Sequence, residues 1–202
     1  MSIQILEKLN NMLNTGLCFH DESNDLFNYL SLEGFAAWHE WQYITERLYQ
    51  KKIKKLITST YNIISKNSPQ NDFNILSLIK NKNRKQLKPD DRYNIIKMSF
   101  IEYEKFERNN LMEYENMAKE LSNNSDISLY AYVLEKIKDV ENELAFLNDF
   151  ILSHETMDWD FPQIISEQDT LKERYNYLLR KFYKSFPKAH HFNSLVSADN
   201  EA

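Results

Sequence analysis

Two glycines in a chain of 202 residues constrain its fold more than any other feature. Glycine supplies the left-handed turns and close backbone approaches that strands and compact loops need. With only four prolines besides, the chain is expected to form long helices with few corners. Hydrophobic residues make up 42% of it and aromatics 13%, enough for one packed core. One glycine, Gly16, falls inside an otherwise regular helical pattern, where it costs about 1 kcal/mol relative to alanine. Its missing side chain is therefore expected to matter for function.

Apolar positions recur at helical spacing in five segments. The first runs from Ile3 to Leu30, and the corner Ser31-Leu32-Glu33-Gly34 leads to a second ending near Lys66. Residues 67–90, bounded by Asn67-Ser68-Pro69 and Lys88-Pro89-Asp90, lose the periodicity and read as a long crossover. The third segment starts at Asp90 or Asp91 and ends at Leu121; after the cap-rich Ser122 to Asp126 the fourth runs to about Ser153. Beyond Asp158-Trp159-Asp160-Phe161-Pro162, a shorter fifth helix spans Asp169 to Phe186, stopped by Pro187. The expectation is an all-α four-helix bundle with one long crossover plus a short fifth C-terminal helix. It occupies residues 1–186, with a C-terminal tail at 187–202.

Several classes are disfavoured. No stretch approaches about 20 uninterrupted apolar residues, so no membrane span is expected. The N-terminal residues lack a basic region followed by an apolar run, so no signal peptide is expected. The single cysteine, Cys18, excludes an internal disulfide and fits a reducing, cytoplasmic compartment. A net charge of -5 gives no case for nucleic-acid binding.

The inward stripes carry the chemistry. The second helix presents Phe35, Trp38, Gln42, Glu46, Tyr49, Ile53, Leu56, Thr60 and Ile63. The third presents Ile96, Phe100, Tyr103, Glu107, Leu111, Tyr114, Ala118 and Leu121. Each has one carboxylate near its middle. The fourth reads Leu129, Val133, Ile137, Val140, Leu144, Leu147 and Ile151, with no polar member; the first reads Leu6, Leu9, Leu13, Gly16, His20 and Phe27. A buried carboxylate is protonated, hydrogen-bonded, ion-paired or metal-bound, because leaving it bare is expensive. Glu46 and Glu107 on facing helices suit one hard cation completed by water. Spacing alone fits a hydrogen-bonded cluster with Tyr49 and Tyr103 at least as well. His20 is a candidate nitrogen ligand or a satisfied core histidine; Tyr49 is a candidate donor to a carboxylate. His190 and His191 fall beyond the fifth helix.

With Glu7-Lys8-Leu9-Asn10 opening helix one, Glu33-Gly34-Phe35-Ala36-Ala37 opening helix two and the Ala118 to Asp126 interval between helices three and four, the chain resembles the bacterial non-haem ferritins over residues 3–183. The resemblance implies a ferritin-like fold and a hollow 24-subunit homo-oligomeric cage that takes up, oxidises and stores iron. It also implies a degenerate ferroxidase centre. The family's helix-one glutamate falls on Gly16, its Glu-x-x-His on Glu46-Arg47-Leu48-Tyr49, its helix-three glutamate on Glu107 and its helix-four glutamine on Val140. Of the neighbouring third-site acids, Asp139 and Glu143 are kept, whereas Thr45 and Asn142 are not acidic. The metal residues implied are thus Glu46, Glu107, Asp139 and Glu143, with His20 added from its place on the stripe. Iron is expected to bind weakly or partially, and the protein to be at most a weak ferroxidase, since paired oxidation of two irons needs two well-ligated sites.

Two further departures concern charge. Lys51, Lys52, Lys54 and Lys55 follow Tyr49; on the cavity-facing side that the resemblance implies, they would attract phosphate or another anion rather than Fe(II). The same run also suits a solvated face paired with acids. Positions lining the family's three-fold pore fall on Tyr130 and Val133, which would guide cations weakly. The expected partners are copies of the chain itself, iron and phosphate. The alternative is a shell that has lost iron chemistry and serves as a structural or anion-binding protein.

Overall fold

A computed structural model describes residues 3–65, 74–80, 82–122 and 127–186. The tail at 187–202, with His190 and His191, lies outside the described residues, as do Lys66 and the Asn67-Ser68-Pro69 opening of the crossover. Five α-helices follow in order: α1 (Ile3–Tyr29), α2 (Glu33–Tyr61), α3 (Pro89–Ser122), α4 (Ile127–Thr156) and α5 (Phe161–Ser185). Among the described residues there is no strand. The expected bundle, with one crossover between α2 and α3 and a further C-terminal helix, is the architecture observed. At a rise of 1.5 Å per residue the 27 residues of α1 span about 40 Å. No helix among the described residues is long and apolar enough to cross a membrane.

The crossover is held along α1. Among its described residues are two short 3-10 helices, Ile75–Ile79 and Arg84–Gln86. Ile75 is buried in the core, its N–H donates to Glu22 Oε2 at 3.1 Å, and the Tyr29 hydroxyl donates to the Lys82 carbonyl at 2.7 Å.

Two helix boundaries differ from the sequence reading. Helix α2 ends at Tyr61 rather than near Lys66, because Asn62 turns left-handed (φ 54°) and its N–H closes on the Thr58 carbonyl at 3.0 Å. Helix α5 begins at Phe161, eight residues before Asp169. Pro162 lies in its first turn, where a missing N–H costs nothing and a fixed φ suits the helix. The break before it is the turn itself: Asp158 and Trp159 are left-handed (φ 55° and 56°), and the Trp159 N–H returns to the His154 carbonyl at 2.7 Å.

A small apolar cluster gathers Ala37, Ile44 and Leu179 where α2 meets α5, and two large ones fill the bundle. One gathers Phe19, Phe27, Phe35, Phe100, Phe106 and Phe150 with their neighbours. The other gathers Leu6, Leu9, Leu13, Ile57, Leu121 and Val133 with theirs. The turns of α1 to α4 that carry Gly16, Glu46, Glu107 and Glu143 fall between the two. The buried acids thus sit at a waist with apolar packing above and below.

Helix α2 is buried on two sides, against α1 and against α5. That explains Gly34, Ala37, Ile44, Gln50 and Ile57, which are buried but outside the single stripe read from sequence. Thr60 of that stripe is exposed, and so is Ile63, which lies past the helix end. Gly34 is required by the second contact. Its N–H donates to Gln168 Oε1 at 2.9 Å, and a Cβ there would overlap the backbone carbonyl of Gln168. A backbone obstacle cannot swing aside, so Gly34→Ala is expected to destabilise the protein by about 2 kcal/mol, as overpacking of a tight interface does. A lowered urea midpoint, with the loss concentrated in α5 by hydrogen exchange, is the check.

Candidate functional site

At the waist lies a cavity of about 300 Å³. Glu46 reaches it from α2, Glu107 from α3, and Lys136, Asp139 and Glu143 from α4. Thus the four acids named from sequence and resemblance line one space. The exposure of Asp139 (51% of its side chain) sets it at the rim, whereas Glu107 is 4% exposed.

Gly16 decides where Glu46 sits. A Cβ at position 16 would overlap both oxygens of the Glu46 carboxylate, so the bare backbone of α1 makes the recess into which that carboxylate folds. Glu46 Oε2 is buried without a hydrogen-bond partner. The residue as a whole keeps some exposure, while Oε2 is enclosed. Burial pushes its pKa up to about 8; Lys136 opposes the rise and Glu143 adds to it. Glu107 is raised well above the carboxylate range, first by burial and then by repulsion from Glu143 and Glu46; Asn110 donates to it at 3.3 Å and offsets part of this. Glu143 is also raised by burial, but the Tyr103 hydroxyl and the Gln42 amide both donate to its Oε1 and hold its charge better.

The remaining candidates have other surroundings. His20 lines the cavity, but its Nδ1 faces His39 Nδ1 at 3.0 Å, one ring donating and the other accepting. Burial holds the His20 pKa down to about 3 and that of His39 well below its usual value. Both are neutral rings in an aromatic nest with Phe19, Phe27 and Tyr103. Tyr49 presents its ring face to the Lys136 ammonium, 3.6 Å from the ring centroid, and it is Tyr103 that donates to a carboxylate. Val133 is 0% exposed within the second apolar cluster, so it lines no open surface of this chain, and Tyr130 packs partly buried against the same cluster. Lys51, Lys52 and Lys55 are exposed and Lys54 is partly covered.

The apolar spacing of α4 leaves it no polar inward residue, and here the structure corrects the stripe. Lys136, Glu143 and His154 all turn inward. The spacing 136, 140, 143, 147 is itself helical, so Lys136 shares the face of Val140 and Leu147 and was findable. His39 was missed because it follows Trp38 on the side of α2 that faces α1.

Among the described residues, no group of three or more His, Cys, Asp or Glu side chains is arranged to hold a metal ion. The carboxylates are gathered in one space but not closed around a point. Such an arrangement suits a cation that keeps most of its water, and it does not supply two adjacent ligand sets.

The raised carboxylates have a consequence for stability. Below about pH 4.5 folded and unfolded chains both hold the Glu46 proton; from there to about pH 8 only the folded chain does. Its contribution to stability is therefore present in acid and lost as pH rises through that window, at up to about 1.4 kcal/mol per pH unit. In the presence of a chelator, Glu46→Gln is expected to flatten the decline and to raise the urea midpoint at about pH 8 above that of the wild type.

No protein-family model and no curated protein matches the chain. Solved structures do. An open-pore ferritin from the hyperthermophilic archaeon Archaeoglobus fulgidus matches with a TM-score of 0.62 at 14% identity, covering 85% of this chain and 98% of that one. A form of the Archaeoglobus fulgidus ferritin engineered to be closed matches with a TM-score of 0.61 at 15% identity, covering 85% and 96%. A humanized archaeal ferritin matches with a TM-score of 0.62 at 14% identity, covering 85% and 97%. At these identities the likeness is one of backbone, and it agrees with the helix order and the single crossover: the chain has the ferritin-like fold.

Proposed function

We propose that this chain is a subunit of an iron-storage shell whose bundle site oxidises Fe(II) slowly or not at all. The observation that carries this reading is the meeting of buried carboxylates from α2, α3 and α4 in one cavity at the waist of a ferritin-like bundle. Fe(II) is the substrate and cargo. It would enter past Asp139 at the rim and meet Glu46, Glu107 and Glu143, giving up few of its waters. Glu46, its pKa raised to about 8, holds a proton near neutrality, so binding there must release it; burial shifts Glu107 in the same direction. Gly16 brings no ligand from α1, and Tyr49 stands where an imidazole would be needed. A second iron has no donor set of its own, so concerted two-iron oxidation by oxygen is not supported. Self-assembly into a cage, with 24 copies as the expected number, follows the fold.

Fe(II) added to assembled particles under air should give slow oxygen consumption with no rapid phase of two irons per subunit, and iron should remain with the shell-sized fraction. Glu46→Gln/Glu107→Gln is expected to lower the slow rate about tenfold. A trace identical to the wild type removes these acids from the mechanism, and a rapid wild-type phase refutes impaired oxidation. Gly16→Glu combined with Tyr49→His is expected to gain rate, because the obstacle at position 16 is the movable end of Glu46.

A second reading is favoured by the exposed Lys51, Lys52 and Lys55 on α2: a shell that has abandoned iron and binds an anion. It predicts the same particles, free of iron, with oxidation no faster than a protein-free control, and phosphate retained on gel filtration.

A further inference from the structure

A lysine stands among the carboxylates. The Lys136 side chain is 10% exposed, lines the same cavity as Glu46, Glu107 and Glu143, and lies 3.5 Å from Asp139 Oδ2. Its Nζ is 3.6 Å from the centroid of the Tyr49 ring, close contact for a cation–π pair. Its charge acts on three acids from three helices, favouring the ionised form of each. No function proposed above uses this group. A buried ammonium is costly unless it is paired. Here Asp139 and the Tyr49 ring hold it at the mouth, and Glu143, whose charge Tyr103 and Gln42 support, stands behind.

We propose that Lys136 is the cavity's resident counter-cation and sets its selectivity: a divalent ion enters only by displacing the ammonium or sharing the acids with it. This inference rests on the reading of the cavity as a cation site. Two cations in one small enclosed space repel strongly, because the surroundings screen them far less than water does. The lysine thus weakens occupancy by hydrated divalent ions, while the acids stay compensated when no metal is bound. The placement of Tyr49 fits the same arrangement. An aromatic face at that position anchors an ammonium, whereas a metal-ligating side chain there would compete with it.

Mn(II) binding to the assembled protein, followed by loss of the free-ion paramagnetic resonance signal, tests this without turnover. Glu46→Gln/Glu107→Gln defines the portion of binding that belongs to the cavity. Relative to wild type, Lys136→Met is expected to tighten that portion at least tenfold, and Lys136→Arg to leave it within about twofold. Lys136→Gln serves in place of the methionine variant if the latter fails to fold. Cavity binding that is unchanged or weaker in the neutral variants overturns the role of Lys136 and leaves the cation site standing. Equal tightening by arginine and methionine also overturns it, since charge would then not be the cause. Mn(II) binding by wild type and neutral variant alike that never exceeds that of Glu46→Gln/Glu107→Gln overturns this inference together with the cation-site reading.

Discussion

The enclosure of carboxylates between two greasy cores is the constraint around which the bundle is arranged. An ionised acid in such a place is affordable only with a partner, a proton or a cation. The chain uses all three devices. Tyr103 and Gln42 satisfy Glu143, a proton neutralises Glu46 near pH 7 and burial favours the protonated form of Glu107, and Lys136 faces all of them from α4. The absent side chain of Gly16 completes the set by giving the Glu46 carboxylate somewhere to lie. Each device lowers the need for a bound metal.

One wall of the cavity is sealed. His20 and His39 satisfy each other at 3.0 Å inside a nest of aromatic rings, including the stacked pair Phe19 and Phe106 with centroids 4.3 Å apart. A histidine that spends its Nδ1 on another histidine is a structural element of the core first. Access to the acids is therefore from the side of α4, where Asp139 and Lys136 stand at the rim. That asymmetry places an acid and an ammonium at the same doorway.

Fold and chemistry separate clearly in this protein. About one residue in seven is shared with the archaeal ferritin structures over 85% of the chain, and the backbone path is kept. What maintains the path is apolar spacing along four long helices and one close contact, Gly34 against the backbone of α5. Nothing in that list needs metal ligands, so the waist can carry a glycine, a tyrosine and a lysine without loss of the bundle.

The sequence by itself determined the helices, their order, the single crossover and the acids Glu46 and Glu107, because periodicity and scarcity of glycine are local properties of the chain. It misplaced the start of α5, since Pro162 reads as a breaker unless its position in the first turn is known. It also gave α2 one buried stripe where there are two, because only docking of α5 creates the second. Tertiary structure alone decided what surrounds each acid: that His20 turns to His39, that Tyr103 rather than Tyr49 serves a carboxylate, and that Lys136 reaches inward from a helix read as wholly apolar. Those outcomes depend on where flexible side chains from different helices meet, and burial, the source of their energetics, exists only once the helices have packed.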